Sequence, residues 1–210
     1  MGPDRKPGGS KNTAFMKAAF VTATLLLVAA AIALTGKAAG TFSDQAQVSG
    51  NTLSTADCFL YGGIACDAFE SGGWSGGYGW LWAWWHEGES AVTTAGTPQG
   101  GTYHLRLRSS TGYVDRALDL SGQSNVHLQF WAKVNSFESG EYAELLVGPS
   151  PMTIAKTWTV ADSDNIYHFV DIDLSPYTMS SEFYIAFDSE MSGTGDYFYV
   201  DDLLVKVVPP

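Results

Sequence analysis

Six aromatic rings fall within twelve residues: Trp74, Tyr78, Trp80, Trp82, Trp84 and Trp85. Read as an extended strand, the segment puts Trp80, Trp82 and Trp84 on one face and Leu81, Ala83 and Trp85 on the other. A strand at a wet surface cannot bury both faces, so part of this set is expected to meet solvent. Exposed flat rings stack on the C–H faces of sugars, and they anchor protein interfaces equally well. Glu87 and Glu89 follow closely as acceptors for hydroxyl groups. Trp80, Trp82, Trp84 and Trp85 are therefore candidate ligand-binding residues. The competing expectation is an aromatic edge that seals the core.

A second candidate platform comes from strict alternation. Val126, Leu128, Phe130, Ala132 and Val134 interleave with His127, Gln129, Trp131 and Lys133, the period of a half-buried strand. If the even positions are core, Gln129 and Trp131 project to the other side, a ring beside an amide. Arg106 and Arg108 project similarly from their own alternating strand.

Catalytic patterns are sparse. A glycosidase needs two carboxylates facing each other across a cleft. The dense acidic patterns are Asp171-x-Asp173 and Glu138-x-x-Glu141-x-x-Glu144, and the first contains no Glu. The four His form no His-x-x-x-His pair, and no Gly-x-Ser-x-Gly elbow or phosphate-binding glycine loop is present. A non-catalytic protein is expected.

The chain has 210 residues, with 11 Lys and Arg against 22 Asp and Glu. Five of the basic residues precede Thr41, so from Thr41 onward six face 21 acids, a net charge of 6 − 21 = −15. That balance excludes nucleic acid and anionic lipid as partners. The two cysteines, Cys58 and Cys66, are eight positions apart. In an oxidising compartment they are expected to form a local disulfide, worth roughly 2.5 kcal/mol in the chain-entropy account.

These residues need a scaffold, and period-two runs supply it. Tyr103, Leu105 and Leu107 form one inward set; Val170, Ile172 and Leu174 another; Phe183, Ile185 and Phe187 a third; Tyr197 to Val208 closes the chain. Turn signals separate them, among them Gly100-Gly101, Ser121-Gly122, Ser139-Gly140 and Ser175-Pro176. About nine short strands predict an all-β fold, a two-sheet antiparallel jelly-roll sandwich.

The beginning of the chain differs in kind. Residues 1–13 are polar and basic, and Ala18 to Leu34 is almost wholly apolar. This is the layout of a secretory signal, expected as a hydrophobic helix, with an uncleaved anchor as the alternative. Small residues at Ala38-Ala39-Gly40, then Phe42-Ser43-Asp44 and Asn51-Thr52-Leu53, resemble the SipW-dependent signal peptides of the TasA and camelysin type. The resemblance implies export, cleavage after Gly40, and membrane contact only through the segment before cleavage. The expected organisation is a signal peptide over 1–40, an extended linker with the Cys58–Cys66 loop over 41–67, and the sandwich over 68–210.

The sandwich itself carries markers: Phe69-Glu70-x-Gly72 with Trp74, His104-Leu-Arg-Leu107, Leu128-Gln-Phe-Trp-Ala132, and Tyr197-Phe-Tyr-Val-Asp-Asp-Leu203. In this order they resemble the jelly-roll carbohydrate-binding modules appended to extracellular enzymes, and MAM-type adhesion domains. That resemblance implies binding rather than catalysis. It also implies a structural calcium held by Glu70 and Asp201, with carbonyls near Gly100 to Thr102. The expected partner is an extracellular polysaccharide or glycoconjugate. Two other readings stand beside it. One is a self-assembling cell-surface or biofilm-matrix fibre subunit, whose segment after Thr41 adds as a strand to a neighbour. The other is a protein–protein adhesion domain.

Overall fold

The structure, a computed structural model, describes Cys58 and residues 62–209. The expected signal segment over 1–40 and the linker residues 41–57 lie outside the described residues.

Eleven strands make up the described fold. They are β1 (Gly63–Asp67), β2 (Trp85–Glu87), β3 (Ser90–Thr93), β4 (His104–Arg108), β5 (Tyr113–Leu118), β6 (Val126–Asn135), β7 (Tyr142–Gly148), β8 (Thr153–Trp158), β9 (His168–Asp173), β10 (Phe183–Glu190) and β11 (Tyr197–Val207). They build two antiparallel sheets. One runs β3-β4-β11-β6-β9, with β1 also paired to β11; the other runs β2-β5-β10-β7-β8. The fold is the all-β jelly-roll sandwich that the alternation predicts.

The alternation works as expected. On β6 the even-numbered residues Val126, Leu128, Phe130, Ala132 and Val134 are buried, while His127, Gln129 and Trp131 are half-buried on the opposite face. Across the core lie Phe183, Ile185 and Phe187 of β10 and Ala143, Leu145 and Val147 of β7, all fully buried. Phe130 meets Phe187 edge-on, with centroids 5.4 Å apart and planes at 75°. Each such side chain contributes about 1.5–3 kcal/mol by leaving water. Truncating Phe130 to Ala costs about 3–5 kcal/mol by the same loss plus a cavity.

Two differences from the sequence reading bear on function. First, residues 63–67 are not linker. β1 pairs with β11, Cys66 opposite Leu204 and Asp67 opposite Leu203, and Cys66 is bonded to Cys58. β4 flanks β11 at Tyr197–Val200 and β1 takes over from Leu203. The register shift between Asp201 and Leu204, with Asp202 at φ 50°, falls at this change of partner. Second, the Trp-rich run is not one long strand. Only Trp85 to Glu87 pair as β2. Gly77 and Gly79 adopt φ of +79° and +83°, where a Cβ would lie 2.2 Å and 2.0 Å from the Cys66 and Ile64 carbonyl oxygens. Only glycine permits that approach. The run therefore folds back onto β1, and the amides of Cys66 and Tyr78 donate to each other's carbonyls at 3.0 and 2.8 Å.

Candidate functional site

The folded-back loop is pinned from below by a buried ion pair. Arg116 of β5 donates through Nη1 to Asp67 Oδ2 at 2.8 Å, with both side chains at most 5% exposed. Arg116 also donates to the carbonyls of Gly76 at 2.7 Å and Trp82 at 2.6 Å. Asp67 further accepts from the Trp84 indole N–H and the Phe69 amide, each at 2.9 Å. Burial raises the Asp67 carboxyl, against the pull of Trp84, Phe69 and Arg116. Burial also lowers Arg116 to about 10, against the pull of Asp67.

This pinning sorts the candidate rings. Trp84 is 3% exposed, tilted 5.9 Å from Phe69 in the core. Trp80 is half-buried; its indole donates to the Cys66 carbonyl at 3.0 Å, and the Arg116 guanidinium lies 5.0 Å over its ring. Trp84 is therefore a core ring, out of reach of the ligand that the sequence expects it to contact, while Trp80 is half-buried with its indole N–H committed to β1. Trp82 and Trp85 remain, 42% and 58% exposed. Alternation along a single strand cannot produce this division, because residues 80–84 lie outside the strands and regular pairing begins only at Trp85.

Trp82 and Trp85 stand on the outer face of the five-stranded sheet. Trp85 is the direct cross-strand partner of Asp115 on β5. Trp82 lies 6.2 Å from the Tyr184 ring of β10, and the Leu81 amide donates to Ala117 beside it at 2.9 Å. Register places further side chains on the same face, since cross-strand partners share a side. One rung reads Glu87, Tyr113, Asp188, Glu144; the next reads Trp85, Asp115, Ala186, Leu146. Burial raises Asp115, with Tyr113 opposing and Glu87 adding. Burial likewise raises Asp188, with the Ser189 amide opposing and Glu190 adding. The result is an aromatic rim at Trp82 and Trp85 beside a row of carboxylates, of which Asp115 and Asp188 are half-buried.

The outer face of the other sheet is partly closed. The segment from Thr94 to Tyr103 straps across it. Lys133 of β6 donates to the Gly96 and Thr97 carbonyls, and its ammonium lies 4.5 Å from both the Tyr167 and Tyr199 ring centroids. His104 bridges the Ala95 carbonyl at 2.7 Å and the Tyr167 hydroxyl at 2.5 Å. Burial drives His104 down to about 4. Beyond the strap, at the β9 edge, Trp131 meets Phe169 edge-on at 5.4 Å. Gln129 donates to Asp171 at 2.7 Å, and His127 lies 2.7 Å from the other oxygen of Asp171. The sequence-predicted residues thus divide between two faces. Trp82 and Trp85 lie on one, Gln129 and Trp131 on the other.

Glu70 and Asp201 hold neighbouring parts of one loop. Glu70 accepts from the Thr102 amide at 2.9 and 3.0 Å and from the Tyr103 amide at 2.9 Å. Asp201 accepts from Gln99 at 2.9 Å and Gly100 at 3.2 Å. Two carboxylates from opposite ends of the domain hold the same five-residue stretch. Asp201 is fully buried and pushed up to about 8, by burial first and by Asp202 second. Among the described residues, no group of three or more His, Cys, Asp or Glu is placed to hold a metal ion.

No family model matches the chain, and no curated relative does. Solved structures with the same kind of sandwich do. A family 61 carbohydrate-binding module in complex with β-1,4-galactotriose is 17% identical, covers 67% of this chain and 94% of its own, and superposes with a TM-score of 0.49. The C-terminal family 22 carbohydrate-binding module of Clostridium thermocellum Xyn10B is 17% identical over 70% of this chain and 94% of its own, at 0.47. The K2 cleaved adhesin domain of Lys-gingipain is 13% identical over 68% and 98%, also at 0.47. Identities and superpositions this low leave the site to be read from this chain's own residues.

Proposed function

We propose that this protein is an exported, non-catalytic glycan-binding module that takes its ligand on the outer face of the five-stranded sheet. The observation that carries this reading is the pair Trp82 and Trp85, 42% and 58% exposed on one face while their neighbours Trp80 and Trp84 are held inward. Exposed indoles cost free energy unless something covers them. Beside them lie Tyr184, Asp115 and Glu87, a mixture of ring faces and acceptors that suits the alternating C–H and O–H surfaces of a sugar chain. The Cys58–Cys66 disulfide supports an extracellular setting.

We further propose a structural calcium at Glu70 and Asp201. Both are carboxylates, hard oxygen ligands of the kind calcium prefers, and both reach the same Gln99–Tyr103 stretch. Asp201, buried beside Asp202, is a carboxylate that a divalent cation would relieve. Bound there, calcium supplies a fixed charge that ties the Gln99–Tyr103 strap to β11. It takes no part in ligand chemistry on the opposite sheet.

The test of the main reading is a glycan-array and polysaccharide pull-down screen of the purified protein, with Trp82→Ala and Trp85→Ala alongside. Retention by the wild type and loss in both variants supports the reading. Failure to retain any glycan, or retention indifferent to both rings, contradicts it.

A further inference from the structure

We infer that the face of the five-stranded sheet prefers glycans bearing free amino groups over neutral glycans and over uronic-acid polymers. This rests on the reading of that face as a glycan site, and adds the ligand's charge.

Charge on this face is one-sided. The outward positions of β2, β5, β10 and β7 include Glu87, Asp115, Asp188, Glu190 and Glu144, and no Lys or Arg. Arg116 is committed to Asp67 and two carbonyls. Lys156 of β8 lies opposite inward-facing Leu145, with its ammonium 5.2 Å over the Trp158 ring. No cation of the sheet therefore offsets these acids from its outer face.

The arrangement is unfavourable for a protein that binds nothing. Asp188 and Glu144 are direct cross-strand partners, and Glu87 sits on the same rung beyond Tyr113. Like charges directly opposite destabilise a sheet. The partners of these acids are neutral: Asp188 accepts from the neighbouring Ser189 amide at 2.8 Å, Glu144 from the Thr157 hydroxyl and Glu87 from the Trp85 indole, each at 3.2 Å, and Asp115 is bonded to Tyr113. The acids lie in a row across two neighbouring rungs rather than around one point, which suits ammonium groups spaced along a chain. Each gains a charge-assisted hydrogen bond to a carboxylate, and those passing Trp82 or Trp85 gain an indole face as well. On the reading of this face as a glycan site, the chain that carries the ammonium groups is a sugar backbone, and polylysine tests the basic-peptide alternative. A uronic-acid chain would bring like charge onto this row.

The experiment is a calorimetric titration of the full protein with four probes of similar length: a fully deacetylated glucosamine oligomer, its N-acetylated counterpart, a neutral glucose oligomer and a galacturonate oligomer. Polylysine is run in parallel. The expected result is binding of the deacetylated oligomer at least about tenfold tighter than the others, weakened by added salt and by Asp188→Asn. Thermal unfolding of Asp188→Asn should be unchanged or higher, because a repulsion is removed. Equal or tighter binding of a neutral oligomer, still lost in Trp82→Ala, overturns the charge preference and leaves the glycan site standing. Equal binding of polylysine also overturns it, since charge alone would then suffice. No binding of any oligomer overturns the inference together with the reading it rests on.

Discussion

Asp67 and Arg116 form an ion pair of 2.8 Å sealed under the Trp-rich loop, and through it the core strand β1 fixes where the exposed rings stand. The guanidinium reaches Asp67 with one nitrogen and the loop carbonyls of Gly76 and Trp82 at the same time. Removing one partner leaves an uncompensated buried charge, which costs about 3–5 kcal/mol. Arg116→Met is therefore expected to lower unfolding free energy by that amount in urea titration. Asp67→Asn combined with Arg116→Met should cost less than the sum of the two single changes, because the pair is lost as a unit.

The four clustered tryptophans are expected to separate cleanly. Trp84→Ala removes a core ring and its bond to Asp67, and should cost about 3–5 kcal/mol. Trp82→Ala removes an exposed ring and should stay within about 0.5–1 kcal/mol of the wild type. Chemical denaturation of the two variants measures the contrast. Equal losses would mean that Trp82 belongs to the core.

Much of this fold is legible in the sequence, and the reason is period. On β6, β9 and β10 the positions that the alternation names face the core, although Lys133 on β6 and Ala186 on β10 are buried on the other side as well. The disulfide was legible from spacing and compartment, and Cys58 and Cys66 are indeed bonded. The convergence of Glu70 and Asp201 on one loop was legible only through family resemblance. The ring assignments were not legible, because they depend on a turn. Gly76-Gly77-Tyr78-Gly79 carries the signal for a bend, but the alternation of Trp80, Trp82 and Trp84 after it has the pattern of a continuous strand. Nothing local announces that Asp67 will meet Arg116, 49 positions away. The row of acids beside Trp85 was equally hidden, since it exists only once β5, β10 and β7 are in register.

Calcium is expected to raise thermal stability. At a free concentration about a hundredfold above Kd, a ligand of the native state adds about 2.7 kcal/mol, which at this size moves Tm by several degrees. Differential scanning fluorimetry with calcium and then with chelator measures it. Asp201→Asn should abolish the difference, and an unchanged Tm in the wild type would contradict a site at Glu70 and Asp201.

His104 sets an acid limit to stability. Burial lowers it from an ordinary value of 6.5 to about 4, against the Ala95 hydrogen bond and with Lys133 and Arg106 adding. Between those values the unfolded chain binds the proton and the folded chain does not, so stability is present above about 6.5 and is lost as pH falls toward 4. Unfolding free energy measured across that window should decline, and His104→Gln should flatten the slope. A slope unaffected by the substitution would assign it to other groups.

The central claim is that ligand binds on the Trp82–Trp85 face and not on the Trp131 face. The most direct test is one calorimetric titration, with whichever glycan the wild type retains, repeated on Trp82→Ala and Trp131→Ala. Trp82→Ala is expected to weaken binding roughly thirtyfold, about 2 kcal/mol, while Trp131→Ala leaves the affinity unchanged. Loss of binding in Trp131→Ala with Trp82→Ala unaffected would contradict the claim, and would move the site to the β6–β9 edge of the other sheet.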